Sequence, residues 1–354
     1  MPSRTIAVKV TVKDRAGNSV SSTVDVLEQT PNTIVAGGYY VTGNGDMRAD
    51  TVNQGMNLRS FTQYHSFADA NTVPGWNRDY LKTFVTQGIW GNFVLELKHY
   101  GAAAGPQTIN GKTVPAPNMT IQQRSGTTWP PAYGYGQVTS GVCNPLFERA
   151  VAQINAMPGT VPFNIQLASE FDTDHEFGIT EAGVAYTWAQ ADARAIPAIN
   201  YIIDFMKARI TRPNVTFTIG MGGFDRPSWL RMHPESLANK VDYLQWNVYR
   251  RAANETAYNR FMRTKIWTDA DLGPLFRKKD ILIAEWGTPM SLGDQATWIR
   301  TVSAAIDRIN SEATTGKIVM TNYFNSNDGW ATLNPKQAGL DALKLIYGQT
   351  PYKG

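Results

Sequence analysis

The chain has 354 residues, 42% hydrophobic and 18% charged, a composition that allows a large core and excludes a disordered chain. A formal net charge of +4 is mild for this length and no dense Lys/Arg stripe is present, so nucleic acid is not an expected partner. One cysteine, Cys143, excludes an internal disulfide and a multi-cysteine zinc site, and no apolar run is long enough for membrane insertion.

Residues 1–30 stand apart from the rest. Thr5 to Val12 and Val20 to Leu27 alternate with the two-residue period of strands, and DRAGNS between them supplies turn residues, so a β-hairpin is predicted. TVKDRAGNSVSSTVDV resembles the last two strands of a bacterial immunoglobulin-like module. Two strands do not make a stable domain. Further domains N-terminal to this chain are therefore expected, unless the hairpin packs on the rest of the chain. MPSRTIAVKV carries no signal-peptide pattern.

From residue 31 to 354 a strand–helix alternation takes over. IVAGGYYV (34–41) reads as a first strand and GMNLRSFTQYH (55–65) as a second, ending in His65. A helix near 78–86 precedes FVLELKHYG (93–101), the third, with His99 near its end. Residues 102–142, rich in Gly, Pro, Thr and aromatics, are too long for a connector and are expected as a functional loop over the barrel mouth. Its Trp129, Tyr133 and Tyr135 either form a stacking wall or pack the loop itself. A helix over 144–157 leads to FNIQLASEFD (163–172), the fourth strand, and a helix over 187–210 to VTFTIGMGGFD (215–225), the fifth. VDYLQWNVYR (241–250) is the sixth, followed by a helix over 255–267. ILIAEWGTP (281–289) is the seventh, and Asp294 caps a helix reaching about residue 312. KIVMTNYFNSN (317–327) is the eighth, with a last helix over 335–347. Eight strands with intervening helices predict an α/β fold, a (β/α)8 TIM barrel.

Two of these strands end in a glutamate. ILIA is a short apolar run bounded by Lys279 and Asp280 on one side and by Gly287 and Pro289 on the other, the pattern of a strand buried on both faces. Glu285 follows at its C-terminal end, which in a parallel barrel is the active-site face, and a carboxylate is costly to bury there. Glu170 holds the same place on the fourth strand. Each, taken alone, reads equally as a salt-bridged or capping residue. Together they suit a retaining glycosidase, in which one carboxyl protonates the leaving oxygen while the other, about 5 Å away, attacks the anomeric carbon. Glu170 is then expected to be protonated, raised by burial beside Phe171 and by the other carboxylate, and Glu285 to stay ionised.

Weaker candidates surround the pair. Trp246 and Asn247 on the sixth strand, Trp286 after Glu285 and Asn325 on the eighth are candidates to contact a substrate, or to pack. FDTDHEFG (171–178) gathers Asp172, Asp174, His175 and Glu176, but lacks the glycine of a calcium loop and reads as a solvated loop rather than a metal site. Asp172 or Asp174 as the acid would instead suit an inverting mechanism, ranked below the glutamate pair. A metal-dependent deacetylase or phosphohydrolase would need clustered histidines, and the chain has 4, widely spread.

The order and character of these strand ends resemble clan A glycoside hydrolases, most closely family 26, whose members are mostly β-mannanases and related β-glycanases, over about residues 34–347. The resemblance implies Glu170 after strand four as acid/base and Glu285 after strand seven as nucleophile. It further implies that Tyr249 in QWNVYR donates to the nucleophile, that Trp330 in YFNSNDGW is an aromatic platform, and that His65 and His99 contact sugar, though each histidine reads equally as a structural one bonding a loop carbonyl. One departure stands out: the residue before the acid/base is His in family 26 and Asn in family 5, and Ser169 here. The expectation is an extracellular, secreted or virion-associated endo-acting hydrolase of a β-mannan, a β-glucan or a bacterial surface polysaccharide, with no cofactor. Its alternative is a non-catalytic carbohydrate-binding or phage tail structural protein on the same scaffold.

Overall fold

The computed structural model describes residues 4–13, 19–28, 35–40, 59–68, 89–99, 105–123, 125–223, 226–262, 270–271, 273–274, 279–313, 316–325 and 341–343, with side chains from Arg59 onward except Met262, Met290 and Asn325. The alternating N-terminal segments form the expected hairpin, β1 (Arg4–Lys13) antiparallel to β2 (Ser19–Glu28) with Val8 opposite Val24.

Three strands follow in the main sheet, β3 (Val35–Tyr40), β4 (Ser60–Ser66) and β5 (Trp90–Glu96). The insertion after β5 contributes β6 (Gln107–Ile109), β7 (Lys112–Val114), β8 (Met119–Ile121) and the short helix α1 (Tyr135–Thr139). Helix α2 (Asn144–Ala156) leads to β9 (Phe163–Leu167), then α3 (Phe171–Phe177), β10 (Ile179–Glu181), β11 (Val184–Tyr186) and α4 (Trp188–Lys207). The remainder is β12 (Val215–Ile219), α5 (Arg226–Met232), α6 (Glu235–Ala238), β13 (Leu244–Tyr249), α7 (Ala257–Met262), β14 (Ile281–Gly287), α8 (Gln295–Glu312) and β15 (Ile318–Asn325).

The eight main strands are all parallel and lie in the order β12-β9-β5-β4-β3-β15-β14-β13. Each spatial neighbour is thus the next or previous barrel strand in sequence. The two ends meet as well: the N–H groups of Asp242 and Asn247 donate to the carbonyls of Phe217 and Met221 at 2.8 and 2.9 Å. The sheet therefore closes into the (β/α)8 barrel that the sequence predicts. Helix starts are set by local chemistry. Thr187 and Gln190 exchange side-chain and backbone bonds in a capping box at α4, and Asp294 accepts from the Thr297 N–H at α8.

The core fills the layer between outward strand faces and helices. Phe93 meets Phe61 and Phe163 there with ring centroids 5.5 and 4.2 Å apart. This packing explains why the third strand begins three residues before the expected position. A side chain at 91 would place its Cβ 2.7 Å from the Phe93 ring, so a glycine interrupts the apolar run inside a strand. A second correction concerns residues 171–178. They form a helix rather than a solvated loop, with Asp172, Asp174 and His175 buried. Each has partners that offset burial: the Gly222 and Gly223 N–H groups for Asp172, Lys98 for Asp174, and Tyr135 with Asp192 for His175.

Strand β12 ends against the turn after β9. A Cβ at Gly220 would sit 1.9 Å from the Ala168 carbonyl oxygen, a backbone atom with little room to retreat. Gly220→Ala is expected to cost about 1–3 kcal/mol or more of stability, seen as a lower urea midpoint with unchanged slope; an unchanged midpoint contradicts this tight strand contact.

Candidate active site

Side chains on a strand alternate between lumen and outer layer. On the lumen side the barrel carries amides and hydroxyls. Asn92 Nδ2 donates to Gln166 Oε1 at 2.8 Å, Asn164 Nδ2 to Asn92 Oδ1 at 2.6 Å, and Asn322 Nδ2 to Thr62 Oγ1 at 2.7 Å. Gln245 Nε2 donates to Asn247 Oδ1 at 3.2 Å, and Asn247 Nδ2 in turn donates to Glu170 Oε1 at 3.0 Å. A polar interior of this kind is stable only when its groups are mutually paired, and pairing fixes their orientation.

Glu285 reaches the lumen through an irregularity in β14. Gln245 lies opposite Leu282 and Asn247 opposite Glu285, so two steps on β13 match three on β14. A similar slip separates Ile283 and Trp286 from their β15 partners. Strict alternation from Leu282 would turn Glu285 outward; the extra residue turns it in beside Asn247. Glu285 as a whole is 5% exposed, and Tyr249, two residues beyond Asn247 on the same face, donates its hydroxyl to Glu285 Oε2 at 2.6 Å. Burial pushes the carboxyl up to about 8. Desolvation opposes the charge expected of Glu285, and the Tyr249 donor favours it. Phe324 packs edge-on against the Tyr249 ring at 6.0 Å.

Glu170 sits at the N-cap of α3 after a sharp turn in which Ala168 takes φ +60°. Its side chain makes no cap bond and is free to point into the site. The turn is held from β12: the Phe171 N–H donates to the Gly220 carbonyl at 3.0 Å, and Asp172 accepts from the Gly222 and Gly223 N–H groups at 2.6 and 3.0 Å. Glu170 lies directly on Gly222, where a Cβ would fall 2.5 Å from its Cδ. Burial raises the Glu170 carboxyl, the Asn247 donor lowers it, and Asp174 raises it further. Asp172 beneath it is pushed up to about 7, by burial first and against the opposing backbone donors.

The structure thus brings together Glu170, Asn247, Glu285 and Tyr249. It separates others. Trp246 is buried in the outer layer edge-on to Trp229 at 5.7 Å, and Trp286 packs against Tyr323 at 4.8 Å and Phe261 at 5.9 Å. Neither ring has a face for a sugar, because alternation places each on the side opposite its site-facing neighbour. His65 stacks on Phe93 at 5.2 Å in the same outer layer. His99 lies beyond the end of β5, bound to the insertion through the Pro131 carbonyl and Gln107. Tyr133 and Tyr135 are buried, so of the expected wall only Trp129 is partly exposed. Asn325 ends β15 with its side chain outside the description, and Trp330 lies outside the described residues.

Three residues absent from the sequence expectation as site members stand behind Glu170. Lys98 Nζ lies 3.0 Å from Glu96 Oε1 and 3.0 Å from Asp174 Oδ2, and Ser169 Oγ donates to the same Glu96 oxygen at 2.8 Å. The two-residue spacing of Glu96 and Lys98, which puts both on one face at a strand end, was the available signal. Among the described residues no group of three or more His, Cys, Asp or Glu is arranged to hold a metal ion.

No family model and no curated protein matches the chain. Solved structures do. A modular endo-β-1,4-mannanase from Cellulomonas fimi, described with glycoside hydrolase family 26, superposes with a TM-score of 0.58 at 15% identity over 90% of this chain and 71% of that one. A GH26C protein from Muricauda sp. gives 0.54 at 13% over 91% and 87%, and a Bacillus subtilis mannanase 0.53 at 12% over 89% and 85%. At these identities the likeness establishes the shared barrel fold.

A carboxyl held near 8 has a thermodynamic signature. An unfolded glutamate titrates near 4.3, so between there and about pH 8 the folded protein keeps a proton that the unfolded chain has released. Stability from this group therefore falls as pH rises across that window. Glu285→Gln removes the penalty and is expected to stabilise the protein at pH 8 by on the order of 4 kcal/mol, and by much less at pH 5. Urea denaturation at the two pH values checks this; an equal effect at both contradicts it.

Proposed function

We propose that the protein is a retaining, endo-acting glycoside hydrolase. The observation that carries this reading is the placement of two glutamates at the ends of different strands beside one residue: the Glu170 carboxyl bonds the Asn247 amide, and Glu285 is the register neighbour of Asn247 across β13 and β14. Adjacent strands lie about 4.8 Å apart, which supports the close carboxyl spacing of the retaining mechanism. Glu170 protonates the leaving glycosidic oxygen as Glu285 attacks the anomeric carbon and forms a glycosyl ester. Glu170 then removes a proton from water, whose oxygen attacks the same carbon and releases Glu285. Tyr249 occupies one Glu285 oxygen and orients the other for attack.

The substrate class is a β-mannan, a β-glucan or a bacterial surface polysaccharide. The mannanases among the structural neighbours support the first. The hairpin at the N-terminus supports a modular protein acting outside the cell or on a virion.

The test is product release from mannans, glucans, xylans and bacterial surface polysaccharides, read by reducing-end assay and mass spectrometry. One polymer is expected to be cut, with Glu170→Gln lowering turnover by about 10²–10⁴-fold and Glu285→Gln abolishing it in folded protein. Undiminished cleavage by either variant overturns the pair, and no cleavage of any polymer favours the binding-protein alternative. Tyr249→Phe is expected to lower kcat/KM roughly 10- to 100-fold, the worth of a hydrogen bond to a charged group. It should also move the limb of the pH profile near 8 upward, because the donor that favours ionised Glu285 is gone.

A further inference from the structure

Ser169 precedes Glu170 by one residue and Asp174 follows it by four. Both are tied to a single buried ammonium. Lys98, its side chain 5% exposed, bridges Glu96 and Asp174 at 3.0 Å each, and the Glu96 oxygen it holds also receives the Ser169 hydroxyl. The Asp174 N–H closes the loop by donating to the Glu170 carbonyl at 2.9 Å. The backbone of Lys98 is fixed too, its carbonyl accepting from Ser66 Oγ and its strand bridged to Ala132 of the insertion. The partly exposed indole of Trp129 covers the ammonium at 4.5 Å from the ring centroid.

Such a cluster is costly for stability alone, since desolvating each ion costs several kcal/mol. Burial by itself would lower the Lys98 ammonium, but Asp174 and Glu96 reverse this and hold it above the ordinary lysine range. Lys98 is therefore charged at every working pH. Burial raises the Asp174 carboxyl and the Lys98 ammonium beside it lowers it; with both carboxyls ionised, two carboxylates face one ammonium and leave one net negative charge behind Glu170. The other groups around it are Asp172 on its own helix and Asn247 on β13, while Tyr135 and His175 face the Asp174 side.

We propose that Lys98 is a positioning residue for Glu170: one ammonium, paired with Glu96 and Asp174, fixes the chain on both sides of it and sets the charge that its carboxyl faces. The insertion is thereby coupled to the acid/base through Trp129 and Ala132. The assignment of a catalytic part to Glu170 rests on the proposed glycosidase function, but the charge arrangement does not, and the test needs no substrate.

The test follows Glu170 itself. Protein labelled with ¹³C at glutamate carboxyls is titrated by NMR, with the Glu170 signal identified by its loss in Glu170→Gln. Glu96→Gln and Asp174→Asn, which each remove a negative charge and leave Lys98 one partner, are expected to lower the Glu170 midpoint by about one unit. Lys98→Met is expected to raise the Glu170 midpoint, the opposite direction. Circular dichroism confirms the fold of each variant, and if Lys98→Met does not fold, the other two decide. A Glu170 midpoint unchanged in the folded variants, or moved upward by Glu96→Gln and Asp174→Asn, overturns the proposal whatever the protein's activity.

Discussion

The site depends on Asn247. Its backbone N–H makes one of the two bonds that close the barrel between β12 and β13, its Oδ1 takes the Gln245 amide from below, and its Nδ2 holds Glu170. It also lies opposite Glu285 in the sheet. One residue thus takes part in barrel closure, holds one carboxyl and neighbours the other. Such coupling is possible because the lumen is lined with amides and hydroxyls that orient one another. An aliphatic filling would pack as densely but would pass no orientation upward to Asn247.

The two glutamates come to the neighbourhood of Asn247 by different devices. Glu285 depends on an extra residue in β14, which converts an outward position into a lumen position. Glu170 depends on an Ala168 held at positive φ and on glycines at 220 and 222 that let β12 close against the turn. Both carboxyls carry a burial cost. For Glu285 the cost is offset in part by Tyr249; for Glu170 it is offset by Asn247, while the charged cluster behind it, negative in sum, adds to the cost.

Much of this was legible in the sequence, for reasons that also mark where legibility ends. Apolar runs ending in Glu170 and Glu285 reveal strand ends, because a parallel strand buried on both faces leaves no polar residue until it emerges. QWNVYR likewise shows Tyr249 and Asn247 on one face by period two. Facing cannot be read past a bulge, which is why Trp286 looked like a site residue although it is outer-layer core; Trp246, on regular β13, points away from Asn247 by the same period of two. The helix over 171–177 was hidden because its acidic residues look solvated. Their partners, Lys98 and the Gly222 and Gly223 N–H groups, lie 50 or more residues away in sequence. The third strand was misplaced by a glycine required by the Phe93 ring, a contact that no local pattern announces.

The central claim is that Glu285 is a nucleophile that bonds covalently to a sugar. Its most direct measurement is intact mass and peptide mapping after incubation with activated 2-deoxy-2-fluoro mannosides and glucosides, which slow the release of a glycosyl-enzyme more than its formation. The account predicts one added sugar, on the peptide carrying Glu285, and none in Glu285→Gln. A label on Glu170 or on an unrelated residue, or hydrolysis of these reagents with inversion and no adduct, would contradict it.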